Sequence, residues 1–235
     1  MKKSKNMINI EESTVVYKLS HEEFFQFTEK LASVEDFKFE YADGKVFPIQ
    51  GGESLPSWYI SYVLSQDFPS YQIKTNFNMA TTKRHDTIVS NLHALLKWQT
   101  KGKQYAVYVQ GTSVYVEVKE VIRVPDLVAT KRNEEKRNKM HELLNPLALF
   151  EVFSKSTKKI DETEKLEEYK SIESVVEYVM IDQSKPYVNL HRRITENKWE
   201  QETFTSLNSA VHLTSLETTI SLSEIYENID WNEKE

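Results

Sequence analysis

Glu151 lies inside the apolar run Leu-Ala-Leu-Phe-Glu-Val-Phe over residues 147–153, and no other position narrows so much what this chain can become. The run reads as a short buried strand, with Leu147, Leu149, Val152 and Phe153 as its core-facing content. A carboxylate embedded there is costly unless a cation or a hydrogen-bond donor meets it. Either another part of the chain supplies that partner, or the strand ends at Glu151.

The flanking pattern supplies elements on both sides. Ser20 and Glu23 have the spacing of a capping box, with Phe24, Phe27 and Leu31 on one helical face to about Ala32. Residues 37–42 alternate with period two, Asp43-Gly44 makes a tight turn, and residues 45–49 return, so a β-hairpin is expected with Glu40 facing away from Phe37 and Phe39. Residues 53–66 read as a helix, amphipathic through Trp58, Tyr62 and Val63, with Pro56 in its first turn. Thr81 or Thr82 caps a longer helix to about Thr100, whose stripe is Ile88, Leu92, Leu95 and Leu96, with His85 one turn earlier.

Residues 105–109 and 114–118 flank Gly111 as a second hairpin, and residues 123–129 read as one strand in which Asp126 follows Pro125. The charged stretch 131–141 reads as a solvated loop or a short exposed helix. After the Glu151 strand come a turn at 154–157, a helix over about 159–172 buried through Ile160, Leu166 and Tyr169, and a strand at 175–182. A hairpin (187–193 with 199–205) and a last helix (221–229) close the chain. No repeat or linker divides it, so the expectation is one α/β domain over 17–230 with a mixed sheet, behind a loose tail at 1–16.

A net charge of −6 argues against a protein held to DNA mainly by non-specific phosphate contacts, which are made by basic surfaces. It leaves room for an enzyme whose acids hold a metal. The absence of cysteine excludes a disulfide framework, a thiolate zinc site and a cysteine nucleophile. With no apolar signal-peptide core at the start and no window of membrane-spanning length, a cytoplasmic location is expected.

Asp126 and Glu151 stand on successive strands, where two carboxylates converge on one divalent cation if the strands are neighbours. Asp126, Glu151 and the Val152 carbonyl would make a first shell for Mg²⁺ or Mn²⁺, and such an ion neutralises the charge that grows on phosphorus during hydrolysis. The polar turn Ser154, Lys155, Ser156 and Thr157 reads as contacting phosphate or as satisfying its own turn amides.

Pro125-Asp126, Glu151-Val152-Phe153-Ser154 with Ser156-Thr157, then Asp161, Lys165, Tyr169, Glu177-Tyr178 and Asp182 together resemble the Uma-type restriction endonuclease family of the PD-(D/E)XK superfamily. Upstream, Glu40 with Asp43-Gly44, and His85 with Ile88 and Leu92, fall where that family carries an acidic hairpin and a histidine-bearing helix. The resemblance runs from about Leu19 to Asp182. It implies a restriction-endonuclease-like α/β fold, a mixed central β-sheet flanked by helices with an N-terminal helix and β-hairpin, and Mg²⁺-dependent hydrolysis of phosphodiester bonds in DNA.

Carried over by position, Asp126 and Glu151 are the two acids, and Glu40 or His85 completes the shell around the ion; read from the residues alone, Glu40 also suits a salt bridge on the hairpin surface and His85 a packed or surface position. The superfamily's lysine two residues beyond the second acid is absent, because Phe153 stands there; the family's substitute on the next helix corresponds to Lys165. Lys155 also replaces a proline, and residues 53–82 lengthen a connection, covering the site or adding a contact between copies; a homodimer is the expected assembly. The resemblance therefore points to a DNA endonuclease. The alternatives are an inactive domain of the same fold that binds nucleic acid or protein, and a phosphoesterase for a small substrate.

Overall fold

A reciprocal cap starts the first helix: the Ser20 N–H donates to Glu23 Oε2 at 2.8 Å and the Glu23 N–H to Ser20 Oγ at 3.2 Å. Two amides that the first turn leaves open are thereby satisfied. The computed structural model describes residues 18–32, 39–49, 54–65, 81–155 and 157–232. From the cap, α1 (His21–Ala32) buries Phe24, Phe27 and Leu31, as its spacing predicts. β1 (Phe39–Ala42) and β2 (Lys45–Pro48) form the expected hairpin. Asp43 and Gly44 turn it with φ of 52° and 74°, the conformation that a two-residue primed turn requires. Phe37 lies outside the described residues, as do the ends of the helix expected over 53–66.

α2 (Ser57–Ser65) corrects the expected face of that helix. Tyr59, Ile60 and Val63 are buried, while Trp58 is 71% and Tyr62 38% exposed. Apolar side chains surround this helix, so spacing alone did not choose a side; docking on α1, where Tyr59 meets Phe27 edge-on at 6.3 Å, did. α3 (Lys83–Gln99) is capped by Thr82, whose Oγ1 accepts the His85 N–H at 3.2 Å, and it buries Ile88, Val89, Leu92 and Leu96.

β3 (Tyr105–Val109) and β4 (Val114–Val116) are not a hairpin. β4 pairs with β5 (Val121–Arg123), whereas β3 pairs with β6 (Leu127–Lys131). The single strand expected over 123–129 is thus two strands in different sheets. Pro125 has no N–H for a ladder, and the chain changes sheets there.

β7 (Ala148–Phe153) is buried at every residue. A helical run then passes from α4 (Lys158–Ile160) through a π turn (Asp161–Lys165) into α5 (Leu166–Ser171). β8 (Glu177–Asp182), β9 (Val188–Thr195) and β10 (Lys198–Phe204) follow. A hairpin unforeseen from the sequence, β11 (Ala210–Leu213) with β12 (Thr218–Ser221), leads into α6 (Leu222–Ile225). That last helix stops four residues short of the expected 229, and Asn228 takes a positive φ of 62° just beyond it.

The strands make a four-stranded sheet, β2-β1-β5-β4, and a six-stranded sheet, β10-β9-β8-β7-β6-β3. Only β7 and β8 run parallel in the larger sheet, joined over the helical run, so the sheet is mixed. Strand alternation sends Phe150 and Val152 toward Ile88, Leu92 and Leu96 of α3, and Leu149 and Phe153 toward Tyr169 of α5. Glu151 shares the second face. No helix among the described residues is long and apolar enough to cross a membrane.

On that same face His191 stacks on Tyr178 at 6.3 Å and 23°. Burial, with a smaller effect of Lys170, pushes its imidazole down to about 4. The unfolded chain therefore binds the extra proton first as pH falls, and the stability associated with neutral His191 is lost between the unfolded value near 6.5 and the folded one. Thermal unfolding followed from pH 7 to 4 is expected to show a steeper fall for the native chain than for His191→Phe; equal slopes would contradict the burial of this ring.

Candidate active site

Register places the acids. β6 and β7 pair Leu127 with Phe150 and Val128 with Leu149, and one further step sets Asp126 opposite Glu151. Asp126 sits just before β6, where its Oδ2 accepts the Val152 N–H at 2.8 Å and so terminates the ladder with a carboxylate. From the start of α3, His85 Nε2 approaches Asp126 Oδ1 and Oδ2 at 3.1 and 3.2 Å. The Thr82 hydroxyl caps His85 and also donates to Gln183 Oε1 at 3.1 Å, tying the helix start to the end of β8.

The second half of the site is assembled around Lys165. Its Nζ lies 3.0 Å from Glu151 Oε1, 3.2 Å from Glu40 Oε1 and 3.4 Å from Asp161 Oδ1, with side chains on both sides of each contact less than a tenth exposed. The Tyr169 hydroxyl donates to the same Glu151 Oε1 at 3.0 Å, so Oε2 takes neither bond. Asp161 and Lys165 are the first and last residues of the π turn, and such a widened turn alters which side chains of a helix face its neighbour.

Glu40 reaches this cluster from the smaller sheet. Tyr41 pairs with Ile122, which sets Glu40 across from Arg123. Arg123 Nη1 donates to Glu40 Oε2 at 2.9 Å, while its Nε and Nη2 make a fork on Glu168 at 2.7 and 2.8 Å. The Val124 N–H also donates to Glu40 Oε1 at 3.2 Å. Arg123 is 3% exposed, and a buried guanidinium needs this degree of pairing.

The electrostatics follow from the count of charges. Burial works to lower the Lys165 ammonium, but Glu151, Glu40 and Asp161 together hold it well above its ordinary value. Burial pushes the Glu151 carboxyl up more than Lys165 pulls it down, and Asp161, Asp126 and Glu40 add to the rise. Asp161 is raised for the same reasons, burial first. Counting Arg123 with Lys165, two buried cations face four carboxyl groups, those of Glu40, Glu151, Asp161 and Glu168, so acids outnumber cations in a buried place. For His85, burial opposes the charged form, yet Asp126 and then Asp86 raise it overall.

Of the sequence candidates, Asp126, Val152 and His85 meet at the start of β6, and Glu151, Lys165 and Glu40 meet beside the π turn. Among the described residues no three His, Asp or Glu side chains converge as a ready ligand set; the carboxylates are engaged by the protein's own donors. The donor chemistry nonetheless suits a hard divalent cation, which prefers carboxylate and carbonyl oxygens, and the surplus of carboxylates is what such a cation would offset.

The turn hydroxyls serve the backbone: the Ser154 N–H donates to Thr157 Oγ1 at 3.1 Å and the Thr157 N–H to Ser154 Oγ at 3.4 Å. Lys155 is exposed, and Ser156 lies outside the described residues. Sequence reasoning did not assign Arg123, Asp161, Glu168 or the Tyr169 hydroxyl to the site. A signal existed for two of them: Arg123 stands in an apolar stretch, where a cation needs acids, and Glu168 follows Lys165 by one helical turn.

This topology is that of a restriction-endonuclease-like protein. It is similar to the crystal structure of "a putative nuclease belonging to DUF820" from Anabaena variabilis, with a TM-score of 0.56 and 15% identity over 82% of this chain and 91% of that one. Residues 77–224, well over half of the chain, match the family Uma2, described as "Putative restriction endonuclease". The chain belongs to that family. It is also 26% identical over 116 residues to the uncharacterized protein sll1609 of Synechocystis sp., a match spanning 49% of this chain and 66% of that protein.

Proposed function

We propose that the chain is a nuclease that hydrolyses phosphodiester bonds in DNA with Mg²⁺ or Mn²⁺, which Asp126, Glu151 and the Val152 carbonyl would hold. The observation that carries this reading is Lys165 Nζ at 3.0 Å from Glu151: a lysine one helix later stands beside the second acid although Phe153 occupies the superfamily's usual lysine position. When bound, the cation supplies Lewis acidity and charge for the reacting phosphate.

The chain's own residues do the rest. The Val152 N–H and His85 orient Asp126, and Tyr169 orients Glu151. Lys165 places a buried ammonium where it stabilises charge developing at the phosphate or holds the attacking water. Glu40 acts through Lys165, since one of its oxygens faces Nζ and the other is taken by Arg123.

The test is cleavage of supercoiled, linear duplex and single-stranded DNA with and without Mg²⁺ or Mn²⁺, alongside Mn²⁺ calorimetry. Metal-dependent cutting is expected, with Asp126→Asn losing at least about 100-fold, because even residues that only support metal ligands contribute 10–100-fold. Absence of cutting on all of these DNAs, together with absence of Mn²⁺ binding, would refute the reading. A non-catalytic binding module of the same fold is favoured by one observation, the engagement of both acids by the protein's own donors; sustained turnover removes it.

A further inference from the structure

Beside Lys165 a pocket opens between the β1–β2 hairpin and the first turns of the helical run, with about 460 Å³ of empty space when the solvent at its open mouth is included. Phe47 and Pro48 line one side and Ile160 the other, with Asp161 and Glu164 as acceptors and Lys165 shared with the acid cluster. Its two cations offer nothing to an anion. Arg123 is spent on Glu40 and Glu168, and Lys165 on three carboxylates. Glu40, Asp161 and Glu164 would repel a phosphate. A neutral planar ring satisfies the apolar walls, and an amino group on its edge satisfies the acceptors.

We propose that this pocket takes one unstacked nucleobase bearing an exocyclic amino group, from a nucleotide at the phosphate that is cleaved beside Asp126 and Glu151. The inference rests on the nuclease reading for the source of that base. Its chemistry is general: carboxylates accept from the cytosine amino group and thymine offers none, and bases attacked or read outside a stack are accommodated between apolar side chains. Glu164, two-thirds exposed at its side chain, stands at the rim, where it selects the base without a role in chemistry. The shared Lys165 makes the two compartments adjacent, as a base and its own phosphate are.

The experiment has two arms. In the first, the full chain is titrated with deoxycytidine, deoxyadenosine, deoxyguanosine and thymidine, followed by ligand-observed NMR; these carry no phosphate and need no cleavage. The three amino nucleosides are expected to bind about 10-fold more tightly than thymidine, within the range that a base contact discriminates. Glu164→Gln should narrow that difference, and Ile160→Trp, which fills the pocket, should remove binding. In the second, cut positions are mapped on DNA of mixed sequence: thymine should be depleted beside the cut, and Glu164→Gln should relax the depletion.

Absence of nucleoside binding together with base-independent cutting overturns the pocket and leaves the nuclease reading standing. Nucleoside binding lost in Ile160→Trp, without cutting of any DNA and without Mn²⁺ binding, sinks the nuclease reading and makes the occupant a free nucleoside. Nucleoside binding with base-independent cutting overturns the placement of the strand's own base.

Discussion

Lys165→Met is expected to lose both stability and cleavage. The ammonium is the partner of Glu151, Glu40 and Asp161 at 3.0–3.4 Å. Methionine keeps an apolar stem one atom shorter than lysine's, but it leaves buried Glu151 and Asp161 without their cation and Glu40 with Arg123 alone. Removing one partner from a buried charge cluster destabilises by about 3–5 kcal/mol, so the urea midpoint should fall clearly. Cleavage should fall by about 10²–10³-fold, the usual loss of one transition-state charge contact. Lys165→Arg retains a cation and should recover most of the stability, which keeps the prediction testable if the methionine variant unfolds. A methionine variant as stable as the native chain would mean that the three carboxylates do not depend on this ammonium.

Glu151→Gln is expected to separate the two losses. The amide oxygen still accepts from Tyr169, and a buried carboxyl already raised by its surroundings is replaced by a neutral group. Stability should therefore change by no more than about 1 kcal/mol, the scale of one neutral hydrogen bond. Mn²⁺ binding and cleavage should nevertheless drop by at least about 100-fold, since a ligand contributes no less than its supports. Retained cleavage with lost stability, the reverse pattern, would assign Glu151 to the fold and remove it from the metal site. The pair of variants thus distinguishes a residue that holds the cluster together from one that gives it a use.

The legible parts of the chain were those governed by near neighbours. Ser20 with Glu23, Thr82 before α3, and Asp43-Gly44 act within four residues, and each does what its chemistry predicts. The juxtaposition of Asp126 and Glu151 was legible too, because the strands on either side of residues 132–147 are antiparallel neighbours whose register sets the two carboxylates opposite each other. The aromatic face of α2 was misread because Trp58, Tyr59, Tyr62 and Val63 are apolar on every side. The hairpin β11–β12 escaped because its strands have only four residues each, too few for alternation to rise above its polar surroundings.

The helix caps, the Asp43-Gly44 turn, the burial of Glu151 and its need for a partner follow from the sequence. Only the tertiary structure decided who that partner is. Glu40 and Arg123 come from the small sheet, Asp126 and Glu151 from the large one, and Asp161, Lys165 and Glu168 from the helical run between β7 and β8. Nothing local sets those distances. Sheet assignment turns on Pro125, which ends one ladder before the next begins, and on the burial of apolar faces across the whole chain; the ion pairs form where that packing leaves the charges.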